Sequence, residues 1–434
     1  MRRVFLLVMA VLIFVSFGCA PKDLSGVSKY NKVVVWHWMT DREDAFNKLA
    51  EKYKEAKGVD VKFELYAPSN AYSRKVRGAA QTNRLPDIYG ILAEQRDIAS
   101  FIDAGHVLNL TSYMDAEDGK WRNTFFKRPL STNEFLPGND LKVEPGIYGV
   151  PLDVMNIQML YNKDLFKKAG LDPDNPPRSW EDFLEAGKNL KVAGIQGLVS
   201  GWGEVWMIDC FMSNYAYNIM GEKKFIDTIK GDVAYTDPDW IRVFTLFKEM
   251  KENNLLAQGV VTMVNKHAEQ MFANQRAALA FNGSWCVNVY NGMNPDLNYG
   301  VLLPPAVSDK NPVMIWGGAG SSFMVNAKTK NQEETIEFLK WLTAKEQQVY
   351  LAKKTKNLPS NKESLSAISK VLLEFADDMD RTTHPNSLPV SELPKVIEAR
   401  DKGIQSIIIG EKTPEEVAVQ VQAIKVRELR KNRN

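Results

Sequence analysis

After residue 30 the chain alternates between short apolar runs and longer segments in which apolar residues recur every three or four positions. Residues 33–38, VVVWHW, predict a buried strand, and residues 59–67 and 85–92 predict two more. Between the first two runs, Phe46 and Tyr53 follow the helical period. Such β-α-β alternation predicts a mostly parallel sheet covered by helices on both faces.

The middle and end of the chain continue in the same style. Residues 148–162 are rich in strand-forming residues. Ser179 with Asp182, and Thr343 with Glu346, have the spacing of capping boxes and predict two helix starts. There are no internal repeats and no low-complexity segment. The pattern predicts an α/β protein, and a chain of 434 residues is long enough for two large domains.

The N-terminus predicts export. A basic start and an apolar run over residues 4–15 are typical of a signal peptide and too short to span a bilayer. Gly18 and Cys19 then resemble the lipobox of bacterial lipoproteins, although Ser16 and Phe17 depart from that pattern. The segment predicts a signal peptide over residues 1–18 and a tether over residues 19–28. We favour lipidation of Cys19, while an ordinary secretory signal with an incidental cysteine is the alternative.

Charge and cysteine content exclude further classes of protein. The chain has 55 basic and 53 acidic residues, and removal of residues 1–18 takes away Arg2 and Arg3, which leaves equal numbers. This balance argues against a nucleic-acid partner and against electrostatic membrane binding, so the lipid would be the anchor. Cys210 and Cys286 are too few for a disulfide framework, and we expect core thiols, with a single bond as the alternative.

Motifs of common enzyme and cofactor sites are missing. The chain contains no GxxxxGK[ST], GxSxG, HExxH, CxxC or GxGxxG sequence. Its four histidines are not at metal-ligand spacing, so we predict no cofactor and no metal. This lowers the odds of an enzyme without excluding one, because glycosidase carboxylates have no general signature.

Tryptophan is the notable feature of the composition. Several of the ten tryptophans lie in polar, glycine-bearing stretches rather than in helical core stripes. Indole rings pack on the apolar C–H faces of sugars and have a polar edge, which suits a binding cleft. We interpret Trp36 and Trp341 as core residues. The candidates for the cleft are Trp38, Trp202, Trp206, Trp285 and Trp316.

Three polar residues are candidates for the same cleft, each with a structural alternative. Glu94 follows a predicted buried strand, at the edge where parallel sheets bind ligands, and could instead be a helix N-terminal charge. Asp153 could accept a hydroxyl or cap a turn. His37 could donate to a ligand or lie in a solvated loop.

Several segments resemble one family. "IYGVPLDVMNIQMLYNKDLFKKAGLD" followed by "PPRSWEDFLEAGKNL" resembles the family 1 extracellular solute-binding proteins of bacterial ABC importers. "LPDIYGILAEQRDIASFIDAGHVLNLT", "AALAFNGSW", "YGVLLPP" and "GGAGSSFMVNAKTKNQEETIEFLKWLTAKEQQVYLAKK" fit the same pattern in the same order. The resemblance covers the chain after the tether.

The resemblance implies a two-lobed periplasmic-binding-protein fold of the type II kind, with a hinge that the chain crosses several times. The first lobe would comprise residues 29–152 and 303–340. The second would comprise residues 154–301 and 341–434. Solute would bind between the lobes, which would close on it.

The resemblance also implies a site and partners. A sugar, most simply an oligosaccharide, would be bound between the lobes and delivered to ABC permease transmembrane subunits. The protein would be a monomer, held in the periplasm or at the cell surface by lipidated Cys19. Trp38 would form one wall of the cleft. A secreted glycoside hydrolase that uses Glu94 and Asp153, or a structural or adhesive lipoprotein, is the alternative. The implied site comprises Trp38, Glu94, Asp153, Trp202, Trp206, Trp285, Trp316, Gly317 and Gly318.

Overall fold

The computed structural model of the protein describes residues 32–92 and 95–433. The predicted signal peptide, the tether with Cys19, and Glu94 lie outside the described residues. Among the helices of the described ranges, none is both long enough and apolar enough to cross a bilayer.

In these ranges the strands are β1 (Lys32–His37), β2 (Asp60–Leu65), β3 (Ile88–Tyr89), β4 (Glu134–Phe135), β5 (Gly146–Ile147), β6 (Val150–Asn162), β7 (Gln196–Val199), β8 (Ala277–Gly283), β9 (Tyr299–Leu302), β10 (Ile315–Val325), β11 (Leu358–Pro359) and β12 (Thr382–Thr383). The α-helices are α1 (Glu43–Lys57), α2 (Ser69–Gln81), α3 (Gln95–Asp103), α4 (Thr111–Gly119), α5 (Lys127–Ser131), α6 (Lys163–Lys168), α7 (Trp180–Val192), α8 (Trp206–Lys230), α9 (Pro238–Glu252), α10 (Asn265–Ala273), α11 (Cys286–Met293), α12 (Gln332–Leu342), α13 (Lys345–Thr355), α14 (Lys370–Ala376), α15 (Pro394–Ile409) and α16 (Pro414–Arg433).

Most strands join one mixed sheet. Its order is β2-β1-β3-β10-β6-β8-β7, with β9 and β11 also paired to β6 and β12 paired to β10. The predicted parallel arrangement is found where β1 lies between β2 and β3, and again where β7 pairs with β8. It is wrong around β6, whose neighbours β8, β9, β10 and β11 are all antiparallel to it. The reason is that β6 and β10 run side by side in opposite directions through both halves of the molecule.

The molecule has the expected two-lobed α/β fold. Phe46 of α1 and Phe338 of α12 lie in the core of the first lobe, and Trp180 of α7 and Phe211 of α8 lie in the core of the second. Strand β6 contributes to both cores, Val150 to the first and Ile157 to the second. The chain therefore crosses between the lobes along β6, and it crosses again along β10.

Packing differs from the predicted lobe boundaries at two places. Trp341 and Leu351 pack in the first core, and the Trp341 ring centroid lies 4.9 Å from that of Tyr53. On the other side, the Trp180 backbone N–H donates to the Ala306 carbonyl at 2.8 Å, which holds the segment before β10 on the second lobe. Both shifts arise because tertiary contacts, rather than position along the chain, decide which lobe a segment joins.

The start of α7 is confirmed, since the Ser179 side chain accepts from the Asp182 backbone N–H. The prediction of a second capping box, at Thr343 and Glu346, is wrong. The Thr343 hydroxyl donates to the Leu339 carbonyl at 2.8 Å and accepts from the Trp121 indole N–H at 3.0 Å, so it closes the end of α12 instead of opening α13.

Two further predictions are decided by burial. Cys210 and Cys286 are buried free thiols, as expected. His37 neither lies in a loop nor faces solvent: it is the last residue of β1 and is fully buried, with its ring 5.0 Å from that of Phe46.

Candidate functional site

A cavity of about 490 Å³ lies where the two lobes meet. Gln95 lies at the start of α3 in the first lobe. Its side-chain amide donates to the backbone carbonyl of Asn386 in the second lobe at 2.8 Å, and this contact closes one side of the cavity. The other walls come from α8, β10, α15 and the segment before α15. The lining residues are Gln95, Arg96, Val205, Trp206, Asp209, Ser213, Tyr217, Phe225, Ile229, Trp316, residues 383–386, Leu388, residues 390–392, Pro394, Ile397, Glu398, Arg400 and Asp401.

One face of α8 forms a wall of this cavity. Trp206, Asp209, Ser213 and Tyr217 all line it, and they follow one another at intervals of three, four and four residues. That spacing places side chains on a single face of a helix. The sequence of α8 therefore contains a polar and aromatic stripe that the fold turns toward the cavity, while the opposite face packs in the second core.

Three of the predicted tryptophans meet at or beside the cavity. Trp206 is 40% exposed, and its ring lies 6.3 Å from that of half-buried Trp285. Trp316, on the crossing strand β10, lines the cavity and lies 4.7 Å from the ring of His384. Flat, partly exposed rings of this kind offer the apolar surface that a sugar ring needs.

His384 adds a polar edge beside Trp316 that the sequence analysis missed. Its Nδ1 accepts from the Asn386 backbone N–H at 3.0 Å. Burial lowers the pKa of His384 to about 4, so the imidazole is neutral at physiological pH. Nε2 therefore bears the proton and can act as a hydrogen-bond donor.

A network of charged groups lies along the deep side of the cavity. The Arg400 guanidinium, almost fully buried, donates to Asp209 and lies 3.5 Å from Asp401. Burial raises the pKa of the Asp401 carboxyl, against the opposing effect of Arg400. Nearby, Glu392 accepts from the Lys425 ammonium at 2.6 Å and from the Tyr235 hydroxyl at 2.8 Å.

Trp38 is half-buried at the end of β1, and its site role stays a prediction. Its ring packs at 5.1 Å from that of Tyr72 and lies over Gly90, where an added Cβ would come within 2.2 Å of the indole. It is not among the residues that line the cavity. Trp36, interpreted as core, is half-buried too; its indole N–H donates to Glu64 at 2.9 Å.

The structure corrects the placement of Trp202. This ring is fully buried in the second core, 5.2 Å from Phe211 and 5.8 Å from Phe247. The flanking glycines Gly201 and Gly203, which suggested a cleft, instead allow close approach of the segment around Asn265 and Thr262.

The structure also corrects the interpretation of Asp153 as a hydroxyl acceptor at the rim. Its carboxylate is buried in β6 and accepts from the Arg42 guanidinium at 2.6 Å. This ion pair joins the segment before α1 to the crossing strand. It faces the point where the register of β10 shifts, between Ala319 and Ser322.

Gly317 and Gly318 allow neighbouring segments to pack closely against β10. They pair with Asn156 and Met155 of β6. A Cβ on Gly317 would lie 2.6 Å from the Met155 carbonyl oxygen, and one on Gly318 would lie 2.5 Å from Cγ2 of Thr132. Their predicted contact with ligand remains a prediction.

No group of His, Cys, Asp and Glu side chains with the arrangement of a metal site occurs in residues 32–92 and 95–433. The polar groups at the cavity are instead hydrogen-bonded to one another or open to it. The arrangement can therefore bind a polar molecule through stacking and hydrogen bonds.

Comparison with known proteins gives a consistent result. The Multiple sugar-binding protein of Streptococcus mutans is 23% identical over 352 residues, which cover 79% of this chain and 78% of that protein. The Galactooligosaccharide-binding protein of Bacillus subtilis is 22% identical over 425 residues, covering 95% and 93%. The crystal structure of the cyclic alpha-maltosyl-1,6-maltose binding protein from Arthrobacter globiformis has the same fold, with a TM-score of 0.72 at 21% identity over 90% of this chain and 97% of that one.

A sequence model of one family matches residues 38–349, which is well over half of the 434 residues. The matched region begins at the end of β1, includes both crossing strands and ends within α13. The chain belongs to the family of bacterial extracellular solute-binding proteins.

Proposed function

We propose that this protein binds a sugar, most simply an oligosaccharide, in the cavity between its lobes and delivers it to the permease of an ABC importer. The observation that carries the proposal is the cavity of about 490 Å³, with Trp206 and Trp316 on its walls and Trp285 beside them. Its volume falls in the range of roughly 300–1,000 Å³ that is typical of small-molecule sites.

Some of the relatives support the same ligand class. Two of them, which this chain covers over more than three quarters of their length, are named for binding multiple sugars and galactooligosaccharides. Both are named as binding proteins. The pairing of Asp153 with Arg42 also makes that carboxylate a poor acid or base for the glycosidase alternative, since a catalytic carboxyl must exchange protons with its substrate.

A thermal-shift screen of the protein without residues 1–18 against neutral mono- to tetrasaccharides tests the proposal, followed by calorimetry on the best sugar. A sugar at 100 times its dissociation constant should add about 2.7 kcal/mol to the free energy of unfolding. Chromatography should recover the sugar intact; its hydrolysis would favour the enzyme. If no sugar in a broad panel shifts the melting temperature, the proposal fails.

A second part of the proposal concerns where in the cell the protein acts. We infer that the protein acts as a monomer outside the cytoplasm, in the periplasm or at the cell surface, held by a lipid on Cys19. Labelling of cells with a radioactive or alkynyl fatty acid should mark the wild-type chain and leave Cys19→Ser unlabelled. Equal labelling of both chains would contradict the anchor.

A further inference from the structure

A second cavity, of about 270 Å³, lies in the first lobe, away from the cavity between the lobes. It adjoins the start of β3 and the end of the antiparallel strand β10, whereas Gln95 and the interlobe cavity follow the end of β3. Its walls come from the loop before β3, from His106 and from the segment between β10 and α12. The two cavities share no lining residue, so the proposed sugar site leaves this one unused.

Two lysines place positive charge on this second cavity. Lys328 and Lys330 are exposed at its wall, and neither forms an ion pair with a residue in the ranges 32–92 and 95–433. The Lys328 ammonium donates to the side-chain oxygen of Asn83 at 2.7 Å. Because an ammonium has three N–H donors, both lysines keep donors that a ligand can use.

Asp87 brings an acidic group to the same wall, but the protein already uses its carboxylate. One oxygen accepts from the Val34 backbone N–H at 2.9 Å, and the other accepts from the Thr329 hydroxyl. Glu333 and Glu334 follow in the first turn of α12 and do not line the cavity. The described lining groups therefore carry two positive charges against one negative charge.

His106 adds a neutral donor on the third wall. Its backbone carbonyl is fixed by the Tyr89 hydroxyl at 2.9 Å and by the Ala327 backbone N–H at 3.2 Å, while its ring forms no hydrogen bond within the described part of the chain. Burial, together with the charge of Lys328, lowers the pKa of His106. The imidazole is thus neutral near pH 7 and has one N–H to donate into the cavity that Lys328 also lines.

We propose that this second cavity, which we call the basic cavity, binds a phosphate group between the ammonium groups of Lys328 and Lys330 and an N–H of His106. Lysine binds phosphate as a compact positive charge, and hydrogen bonds to an ionised oxygen are stronger than those between neutral groups. The volume lies just below the range of roughly 300–1,000 Å³ that is typical of small-molecule sites, which suits a group as small as phosphate. The inference does not depend on the proposed binding of a sugar.

Two sources offer this chemistry: a free phosphate or phosphate ester, and the head group of a phospholipid. The basic cavity lies beside Lys32, whose carbonyl accepts from the Asn331 side chain at 3.0 Å. The predicted lipid tether precedes Lys32 in the sequence. The experiment therefore has one arm for each source.

The double variant Lys328→Gln/Lys330→Gln removes both charges, and Lys353→Gln/Lys354→Gln is its matched control. The control lysines are exposed on α13 in the same lobe, have no ion-pair partner among the described residues and do not line the basic cavity. Both variants change the net charge by the same amount, so nonspecific attraction of anions should fall equally in the two. A melting curve on each variant reports folding.

The first arm is calorimetry with inorganic phosphate on the protein without residues 1–18, with sodium chloride at equal ionic strength as the blank. We expect saturable binding of one phosphate per chain. Lys328→Gln/Lys330→Gln should weaken it by about tenfold or more, since it removes two charged donors, and the control variant should bind as the wild type does.

An NMR titration of the histidine rings tests the location of the bound phosphate. The chain has four histidines, and the signal of His106 is the one that is missing in His106→Gln. Phosphate should shift this signal in the wild type and in the control variant, and should leave it in place in Lys328→Gln/Lys330→Gln. A shift of another histidine signal, with that of His106 unchanged, would place the phosphate elsewhere and overturn the inference.

The second arm is sedimentation of the same unlipidated protein with vesicles of phosphatidylcholine, with and without phosphatidylglycerol. Binding that requires phosphatidylglycerol and is lost in Lys328→Gln/Lys330→Gln alone supports the head group as the source. Binding of inorganic phosphate without vesicle binding supports a free phosphate or ester. The inference is overturned if neither probe binds the wild type, or if the control variant weakens binding as much as the variant at the basic cavity.

Discussion

Trp202 and Trp206 stand four residues apart in one glycine-bearing stretch, yet their environments are opposite. Trp202 is fully buried against Phe211 and Phe247, whereas Trp206 begins α8 and exposes 40% of its surface at the cavity. The chain turns between them, so the two rings point into different layers. Neighbouring residues of the same type therefore have different environments, and we expect Trp202 to act in stability and Trp206 in binding.

Alanine at the two positions should separate these roles. Trp202→Ala should lower the free energy of unfolding by about 3–5 kcal/mol, since it removes a large core side chain and leaves a void. Trp206→Ala should change stability little and weaken sugar binding by about 2 kcal/mol, or roughly thirtyfold. Urea unfolding and calorimetry on both variants measure the two effects. Normal affinity in Trp206→Ala would remove this ring from the site.

Residue-level chemistry also predicts a loss of stability in acid. Burial, aided by the positive charge of Arg42, lowers the pKa of His37 in the folded state from 6.5 to about 4. Between these pH values the unfolded chain binds more protons than the folded one, so the free energy of unfolding falls as the pH drops through this window. His37→Phe should flatten the curve of unfolding free energy against pH, with His384 as a remaining contributor in the same direction.

Unfolding in urea at half-unit steps from pH 7 to pH 4 measures this dependence. Above about pH 7 the two histidines should add nothing to the slope of the wild-type curve, because they are neutral in both the folded and the unfolded state there. An identical slope in wild type and His37→Phe would show that the buried imidazole of His37 does not contribute to the pH dependence of the unfolding free energy.

How far the sequence predicts single residues depends on how local their environment is. Trp285 and Trp316 were predicted at the cleft from neighbouring glycine and polar residues, and the structure brings them to or beside the cavity. His384 and Arg400 were missed, because their partners Trp316 and Asp209 are far away in the chain. Asp209 could have been found from its three-residue spacing to Trp206 on a helix.

At the scale of elements, β6 and β10 are the decisive pair. They run antiparallel through both lobes, and their register shifts opposite Asp153, where Arg42 pairs with that carboxylate. A shift of register breaks the regular ladder and adds local twist. The lobes are thus joined by continuous strands whose pairing is irregular between Ala319 and Ser322, and we expect bending to cost least there.

Gly317 tests how tightly these two strands must approach. An added Cβ would lie 2.6 Å from the Met155 carbonyl oxygen, so Gly317→Ala should lower the free energy of unfolding by about 1–3 kcal/mol. Gly78 is a matched control: it is exposed in α2 with nothing within 4 Å of its Cβ position. Gly78→Ala should stabilise by about 0.5–1 kcal/mol. A stable Gly317→Ala variant would show that the strands can separate without penalty.

Helix boundaries were predictable where a capping side chain forms its own hydrogen bond, as at Ser179. They were not predictable where a tertiary contact uses the capping side chain instead. Thr343 has the spacing of a capping box, but the Trp121 indole N–H uses its hydroxyl, and the helix α13 starts without that cap. The antiparallel neighbours of β6 were also not predictable, because strand pairing is settled between distant segments.

At the scale of the whole molecule, the cavity depends on the relative position of the two lobes. Gln95 of the first lobe contacts Asn386 of the second, and the remaining walls belong almost entirely to the second lobe and β10. A ligand that contacts both lobes binds a closed arrangement better than an open one, and so shifts the population toward it.

We therefore expect the radius of gyration from small-angle X-ray scattering to decrease when the sugar found in the screen saturates the protein. Trp206→Ala at the same sugar concentration should show a smaller change, because less of the protein is bound. A neutral sugar that does not shift the melting temperature is the control and should leave the scattering unchanged. An unaltered radius at confirmed saturation would argue for a site that binds without closure.

The repeated crossing between lobes also affects the order in which the chain can fold during synthesis. Val325 of β10 pairs with Ile88 of β3, and Leu351 of α13 completes the first core, so this lobe needs segments made long after its own N-terminal strands. Contacts between distant segments slow folding. A ribosome must pass residue 351 before the first lobe can finish its core, so we expect the nascent chain to lack a complete first lobe until nearly all of the protein has been made.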